Sequence, residues 1–409
     1  MSKLFSCIII LIIMSLYPLH AVYAQNGKAY IYGTVVTDSG EEFTGFIRWG
    51  KEELFWHDLF NANKEQSDQY KVNREKKSTG FWSNFDWDLN SIWKNKYSRS
   101  THLFSCLFGD IKTLHILGGN RVDLEMKNGT KLHLNDGSND IGTTIHLADY
   151  ELGTIKFSWN KVDEIRFFEA PTGAIPEFGA PLYGAVKTKR NGTITGFIKW
   201  DLDERSGEDI LDGESNLGSQ KIPFKNIRAI EKERNGSIVT LKSGRDIFLD
   251  DSNDIDSGNR GIRIYNHGVG NMKVTWNQFQ HIRFEDAPEP PPAYRDFKIP
   301  SGLMVDVSTF DDGDHTGVMV YDMDEMWEIE TLDGEDNSID FQIPFRNIKR
   351  IVPKNSSYSM IYLCNGEELL LGNSQDVGSS NDGLLLFKEG IKKPMVIRWN
   401  DVSEININK

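Results

Sequence analysis

Three aspartates recur at corresponding places along the chain: Asp140, Asp254 and Asp376, in the triplets Ser138-Asn139-Asp140, Ser252-Asn253-Asp254 and Ser374-Gln375-Asp376. Around the second of them stand Asp250, Asp251 and Asp256. Hard carboxylate oxygens at this density suit Ca²⁺, so Asp250, Asp251, Asp254 and Asp256 form the one candidate metal set, with calcium the only cofactor considered. Their spacing is not that of an EF-hand loop, and the other two copies lack the extra carboxylates. Aspartate also closes turns by accepting hydrogen bonds from neighbouring backbone. That turn role is the simpler expectation for the recurring residue.

A second acidic group is Asp201, Asp203, Glu204, Glu208, Asp209 and Asp212, matched further on by Asp322, Asp324, Glu325, Glu328, Glu330 and Asp333. Two carboxyls at a fixed separation can hydrolyse a glycosidic bond. A carbohydrate-active hydrolase is therefore the enzymatic alternative. No feature of the sequence fixes that separation, and Leu211-Asp212-Gly213-Glu214 and Leu332-Asp333-Gly334-Glu335 read as turns. The expectation for both groups is a solvated acidic loop.

Aromatic residues give the third candidate. An insertion at about 50–105 carries Trp56, Phe81, Trp82, Phe85, Trp87 and Trp93 in an otherwise polar stretch. Exposed rings offer flat apolar faces to a protein or a sugar, and long loops on rigid scaffolds often carry function. Trp56, Trp82, Phe85, Trp87 and Trp93 are the candidate ligand contacts; the competing expectation buries them against the core. Five histidines, His57, His102, His115, His133 and His146, fall in the same third of the chain, but none sits at zinc-ligand spacing. His133 aligns with Phe248 and Leu370, which points to a near-core position. Gly-x-Ser-x-Gly, His-Glu-x-x-His and phosphate-loop motifs do not occur, so the sequence offers no catalytic motif.

The elements that position these residues are repeated. Thr44-Gly45-Phe46-Ile47-Arg48-Trp49 returns as Thr195-Gly196-Phe197-Ile198-Lys199-Trp200, and more weakly as Thr316-Gly317-Val318-Met319-Val320-Tyr321. Lys221-Ile222-Pro223-Phe224-Lys225-Asn226-Ile227 matches Gln342-Ile343-Pro344-Phe345-Arg346-Asn347-Ile348. Self-similarity at this period marks a repeat architecture. The Pro-rich stretches Glu169–Pro181 and Glu285–Pro300 divide it into units at 25–169, 170–288 and 289–409.

Within the units, an aromatic followed at three and six residues by apolar side chains occurs six times, as in Phe108-Ile111-Leu114 and Trp399-Val402-Ile405. Spacing of three does not fit one strand. Strand, one 3₁₀ turn, then strand does fit. That arrangement resembles the last two strands of SH3-like and Sm-like small barrels, a likeness of architecture that implies no activity. The expected fold is all-β: three tandem repeats, each of two small SH3-like or Sm-like barrels, with a six-bladed β-propeller as the alternative.

Residues 1–24 read as a secretory signal peptide, with Lys3, the apolar run Leu4–Leu16 and small residues at Val22 and Ala24. That run is shorter than the roughly 20 residues of a spanning helix, and no later stretch is long enough. The expected location is secreted or periplasmic. Beyond the leader only Cys106 and Cys364 remain, too few for a disulfide framework; buried thiols are expected rather than a bridge. A formal charge of −14 disfavours nucleic acid as partner. The functional expectation is an exported, non-catalytic binding or structural repeat protein that presents loops to a protein or glycan.

Overall fold

The computed structural model describes residues 27–64, 102–135, 140–391 and 393–408. The expected signal peptide at 1–24 lies outside the described residues, and so do Phe81, Trp82, Phe85, Trp87 and Trp93. The chain is all-β with antiparallel pairing, and among the described residues no helix exceeds a three-residue 3₁₀ turn. No helix there is long and apolar enough to cross a membrane.

Among the described residues of the first stretch there are ten strands: β1 (Tyr32–Thr37), β2 (Glu42–Trp49), β3 (Leu59–Lys64), β4 (His102–Leu107), β5 (Ile111–Ile116), β6 (Arg121–Met126), β7 (Lys131–Asn135), β8 (Ile145–Asp149), β9 (Gly153–Phe157) and β10 (Val162–Phe167). They pair in the order β4-β3-β7-β6-β5-β10-β1-β2-β8-β9. The next ten are β11 (Tyr183–Thr188), β12 (Thr193–Lys199), β13 (Ile210–Ser215), β14 (Gly218–Pro223), β15 (Ile227–Glu233), β16 (Gly236–Leu241), β17 (Asp246–Leu249), β18 (Ile262–Asn266), β19 (Gly270–Val274) and β20 (Phe279–Phe284). Their pairings trace the same order, with the Glu214–Asp250 bridge joining β13 to the end of β17.

The last ten repeat it with a full set of ladders: β21 (Leu303–Thr309), β22 (Gly313–Val320), β23 (Thr331–Asp336), β24 (Ile339–Pro344), β25 (Ile348–Pro353), β26 (Tyr358–Leu363), β27 (Glu368–Gly372), β28 (Leu384–Phe387), β29 (Met395–Ile397) and β30 (Val402–Ile407).

Each set splits into two five-stranded halves that meet where the two aromatic-led strands pair. Leu114 faces Ile165, Ile230 faces Ile282, and Ile351 faces Ile405. The second half is discontinuous: the opening hairpin, such as β1–β2, completes it with the three strands that close the unit. Five of the six aromatic-led segments make the expected 3₁₀ turn, at Phe108, Trp159, Phe224, Phe345 and Trp399. At Trp276 the chain makes a different tight turn, with the Gln278 and Phe279 amides donating to the Thr275 carbonyl.

Among the described residues neither the closed barrels nor the propeller of the sequence expectation is formed, because no sheet there closes. None of the ladders among the described residues joins the strand entering a 3₁₀ turn to the strand leaving it. The turn itself spans that seam and drives its aromatic ring inward, so packing replaces the missing ladder. Strands in continuous ten-stranded orders likewise differ from separate four-stranded blades.

Rings fill the interior. Trp49 lies 5.3 Å from Phe108 and 5.8 Å from Trp159, Trp200 lies 5.3 Å from Phe279, and Tyr321 lies 5.2 Å from Phe345. Trp56 belongs to this core. It is fully buried, donates Nε1 to the Lys28 carbonyl at 2.9 Å and packs on Tyr294 at 4.6 Å, so it offers no ligand a face.

The Pro-rich stretch before the third unit is tied down rather than a free spacer. Tyr294 donates Oη to Ile111 O at 2.9 Å, and Phe297 packs so closely on Gly109 that a Cβ there would lie 2.3 Å from its ring. Cys106 and Cys364 are both free, but Cys364 is exposed, against the expectation of two buried thiols. His133, Phe248 and Leu370 stand on partly open sheet faces, and the last two are exposed, which corrects the near-core reading.

Candidate functional site

Of the acidic groups expected in solvated loops, Asp201, Asp322, Asp324, Glu325 and Glu330 are buried while Glu208 and Asp212 are exposed, and the recurring aspartates fasten the segments that carry them. Each uses its own carbonyl to hold the buried aromatic of the Gly-Phe-Ile strand. Trp49 Nε1 donates to Asp140 O at 2.8 Å, Trp200 Nε1 to Asp254 O at 2.8 Å, and Tyr321 Oη to Asp376 O at 2.6 Å. Each carboxylate then accepts a strand amide: Asn61 N, Asp212 N or Asp333 N, at 2.8, 2.7 and 2.6 Å. The residue is thus a fastener between loop and sheet, one step beyond a turn closure. Leu211–Glu214 and Leu332–Glu335, read from sequence as turns, lie inside strands β13 and β23. Gly334 is required there, since a Cβ would sit 2.8 Å from Leu371 Cβ.

After the buried aromatic, the chain reverses through a tight loop closed by paired backbone bonds, as between Tyr321 and Glu325 at 2.9 Å. Asp322 and Met323 take left-handed conformations, with φ of 48° and 58°. Such backbone is disfavoured for residues with a Cβ. It turns the Asp322 carboxylate under the sheet instead of out to water, leaving the residue 4 % exposed.

A cleft of about 240 Å³ results in the third unit, lined by seven carboxylates. Asp322, Asp324, Glu325 and Glu330 come from the loop after β22, Asp333 from β23, and Asp376 and Asp382 from the segment after β27. Leu103 and Ser105 of β4 complete the wall. Lys64 reaches in from the first unit, with Nζ 2.8 Å from both Asp324 O and Oδ1 and paired to Glu330. Burial pushes Asp322 up to about 9 and Asp333 to about 6. Burial and neighbouring carboxylates drive Glu325 and Asp376 well above the carboxylate range. Several of these groups therefore hold protons at neutral pH.

The second unit differs at one position of the same scaffold. Its Arg260 donates backbone N to Asp201 Oδ1 at 2.5 Å, and its guanidinium pairs with Asp201 at 3.0 Å and Asp203 at 2.6 Å. In the third unit Asp382 makes the same backbone bond to Asp322 Oδ1. One scaffold position changes from arginine to aspartate, so where a guanidinium pairs with Asp201 and Asp203 in the second unit, a carboxylate stands in the third. Glu204 keeps a trace of the same chemistry, pushed up to about 10 by burial and then by Asp254 and Asp203.

The other carboxylates of these loops bind the units together. Asp58, Asp209 and Glu330 each cap a turn with one oxygen and take a cation from another unit with the other: Arg205, Arg48 at 2.7 Å and Lys64. Lys199 adds a buried pair with Glu53 at 2.7 Å, and Arg346 grips Asp110 through two bonds of 2.8 Å.

The four aspartates considered for calcium do not converge. Asp254 serves its strand amide, Asp256 accepts from Gly258 N at 2.7 Å, Asp250 lies in the bridge to Glu214, and Asp251 is exposed. Among the described residues no three His, Cys, Asp or Glu side chains are placed to hold a metal ion.

Raised carboxyls set a pH dependence whose sign can be derived. Asp322 and Asp333 have folded-state values above the ordinary value of about 3.9. Their contribution to stability is present below that value and is lost as pH rises through about 6 and then about 9. His57 acts oppositely: burial, then Arg205, lowers it to about 3, so its contribution is lost as pH falls below the ordinary histidine value. The thermal midpoint is expected to decline from about pH 6 to about pH 9, and Asp322→Asn to flatten that decline. A wild-type midpoint that rises over the same range would contradict the assignment of protons to the cleft.

Compared with known proteins, the chain matches no family model, no curated protein and no solved structure, so its function is argued from its own residues.

Proposed function

We propose that this chain is an exported, non-catalytic binding protein whose ligand site is the acidic cleft of the third unit. One observation carries the reading. The corresponding position of the second unit holds the chain's own Arg260, while in the third unit Asp382 stands there and seven carboxylates line a cleft. Keeping like charges together in a desolvated place is costly. Export rests on Lys3, Leu4–Leu16 and Ala24, and N-terminal sequencing of secreted material should begin at Gln25.

A carbohydrate-active hydrolase is the second reading, favoured by the protonated Asp322 in the cleft, since a general acid needs a raised carboxyl. One experiment separates the two. The full chain is incubated with insoluble chitin, cellulose and peptidoglycan, and with immobilised tetralysine; retention and released reducing ends are both measured. Retention without release supports the binding protein. Release that disappears in Asp322→Asn supports the hydrolase, and neither retention nor release removes both.

A further inference from the structure

We propose that the outer edge of β9 in the first unit is a docking site for an extended segment of a partner protein, one that alternates apolar and acidic side chains.

The second and third units of the chain supply the template. Strand β19 pairs antiparallel with β24, setting Met272 opposite Phe341 and Lys273 opposite Asp340. Counted from the closing tryptophans Trp159 and Trp276, β9 is the first unit's copy of β19. Gly153, Ile155, Lys156 and Phe157 stand where Gly270, Met272, Lys273 and Val274 stand. Both strands also close the same hairpin, Ile145–Asp149 with Gly153–Phe157 and Ile262–Asn266 with Gly270–Val274. Yet β9 ends its sheet, and among the described residues no strand pairs with its outer edge.

Two observations set this edge apart from an ordinary rim. Val269, just before β19, is 3 % exposed, whereas its counterpart Leu152 is 67 % exposed, and Tyr150 in the same turn is fully exposed. A Cβ on Gly270 would lie 2.6 Å from Gln342 O and 2.7 Å from Pro344 Cδ, whereas a Cβ on Gly153 would meet none of the described residues within 4 Å. The third unit covers Gly270, and the matching surface of the first unit stays open.

Charge narrows the occupant. Across the outer sheet face of the second unit run Lys199, Arg263 and Lys273, one on each strand, and Asp340 of β24 closes the row. The first unit carries Arg48, His146 and Lys156 in the same row. Arg48 is paired with Asp209, and burial holds His146 below the ordinary histidine value, so Lys156 is the charge at the open end. An added strand would meet the backbone donors and acceptors of β9. It would set an apolar side chain against Ile155 and Leu152 and an acidic one against Lys156.

Lysine on an edge strand often blocks pairing. Here Lys273 sits in a formed ladder, so lysine at this position is compatible with one. The third unit is the blocked case: Pro394, with no amide to donate, replaces Asn271, and Val396 replaces the lysine.

The test is fluorescence anisotropy of the full chain with a labelled, end-blocked peptide of residues 337–344, which contains β24. Saturable binding is expected, weakened about tenfold in Lys156→Glu, where an opposed pair becomes a like-charged one. A peptide carrying Asp340→Lys should bind Lys156→Glu more tightly than it binds wild type, which loss of fold cannot produce. Thr154→Pro copies Pro394 of the third unit and should abolish binding with the β-sheet circular dichroism intact. Lys221→Glu, exposed on β14, should leave affinity unchanged.

Failure of the wild type to bind would overturn the proposal. Equal affinity in wild type, Thr154→Pro and Lys156→Glu would do the same, since the peptide would then be exchanging with β24 or resting elsewhere. Sedimentation of the chain alone at rising concentration addresses the other occupant. A dimer that disappears in Thr154→Pro would assign the edge to a second copy and overturn the partner protein. The acidic cleft is tested separately, by retention and release.

Discussion

Arg205→Met is expected to destabilise the chain by about 3–5 kcal/mol at neutral pH, the usual cost of stranding one member of a buried ion pair. Arg205 and Asp58 are 3 % and 4 % exposed at their side chains and meet across the first and second units. The guanidinium also donates to His57 Nε2 at 3.0 Å and lies over the Phe55 ring at 5.3 Å. His57 is itself stacked on Tyr265 at 4.5 Å. Methionine keeps most of the apolar stem and removes only the charge and its donors.

Burial acting alone would push Asp58 up; Arg205, and after it His57, hold it below its ordinary value. Without the arginine the sign reverses, and the cost should shrink as pH falls towards about 4 and Asp58 takes a proton. Adding Asp58→Asn to Arg205→Met should recover part of the loss, because asparagine keeps an acceptor for the Leu54 and Phe55 amides without a charge. Urea unfolding of the four proteins at about pH 8 and about pH 4 reads the cycle. Equal losses at both pH values would mean that the pair contributes nothing beyond packing.

The fold and the site were legible in different degrees, for reasons rooted in chemistry. Aromatic-led steps of three residues exposed the strand, 3₁₀ turn, strand element because the ring must reach the core each time the chain turns. The same pattern is silent on what lies across the turn, so closed barrels were expected where the sheet stays open. The discontinuous second half was also invisible, since it depends on β1 finding β10 across most of a unit.

For the cleft, composition misled. Asp322, Asp324 and Glu325 look solvated by residue type. Their burial follows from two left-handed residues and from Asp376 pulling β23 inward. A signal was nevertheless present in the aligned units, where Arg260 stands opposite Asp382 beside acidic groups of the same spacing. Trp56 went the other way: a tryptophan in a polar stretch suggested a ligand face, but its Nε1 found the Lys28 carbonyl and its ring found the core.

Trp200→Ala is the second large effect, at about 3–5 kcal/mol for removal of a fully buried tryptophan. Its ring is packed edge-on to Phe279 at 5.3 Å and Trp276 at 6.1 Å, so neighbours already in contact cannot simply collapse into the void. The change also strips Asp254 O of its indole donor and loosens the aspartate that holds Asp212 N. Trp200→Tyr should cost much less. The third unit uses tyrosine at the equivalent place, where Tyr321 Oη reaches the Asp376 carbonyl at 2.6 Å.

Topology decides how far the damage spreads. Strand β19 of the second unit pairs with β24 of the third through four residues, Met272 facing Phe341 and Val274 facing Ile339 in the core. Among the described residues the first unit joins the second through side-chain pairs such as Lys199 with Glu53 and Arg48 with Asp209, without a shared ladder. Hydrogen exchange in Trp200→Ala should therefore accelerate across β15–β19 and β23–β24, and change little in β5–β7. Uniform acceleration over all three units would show that the side-chain contacts couple them as tightly as the continuous sheet does.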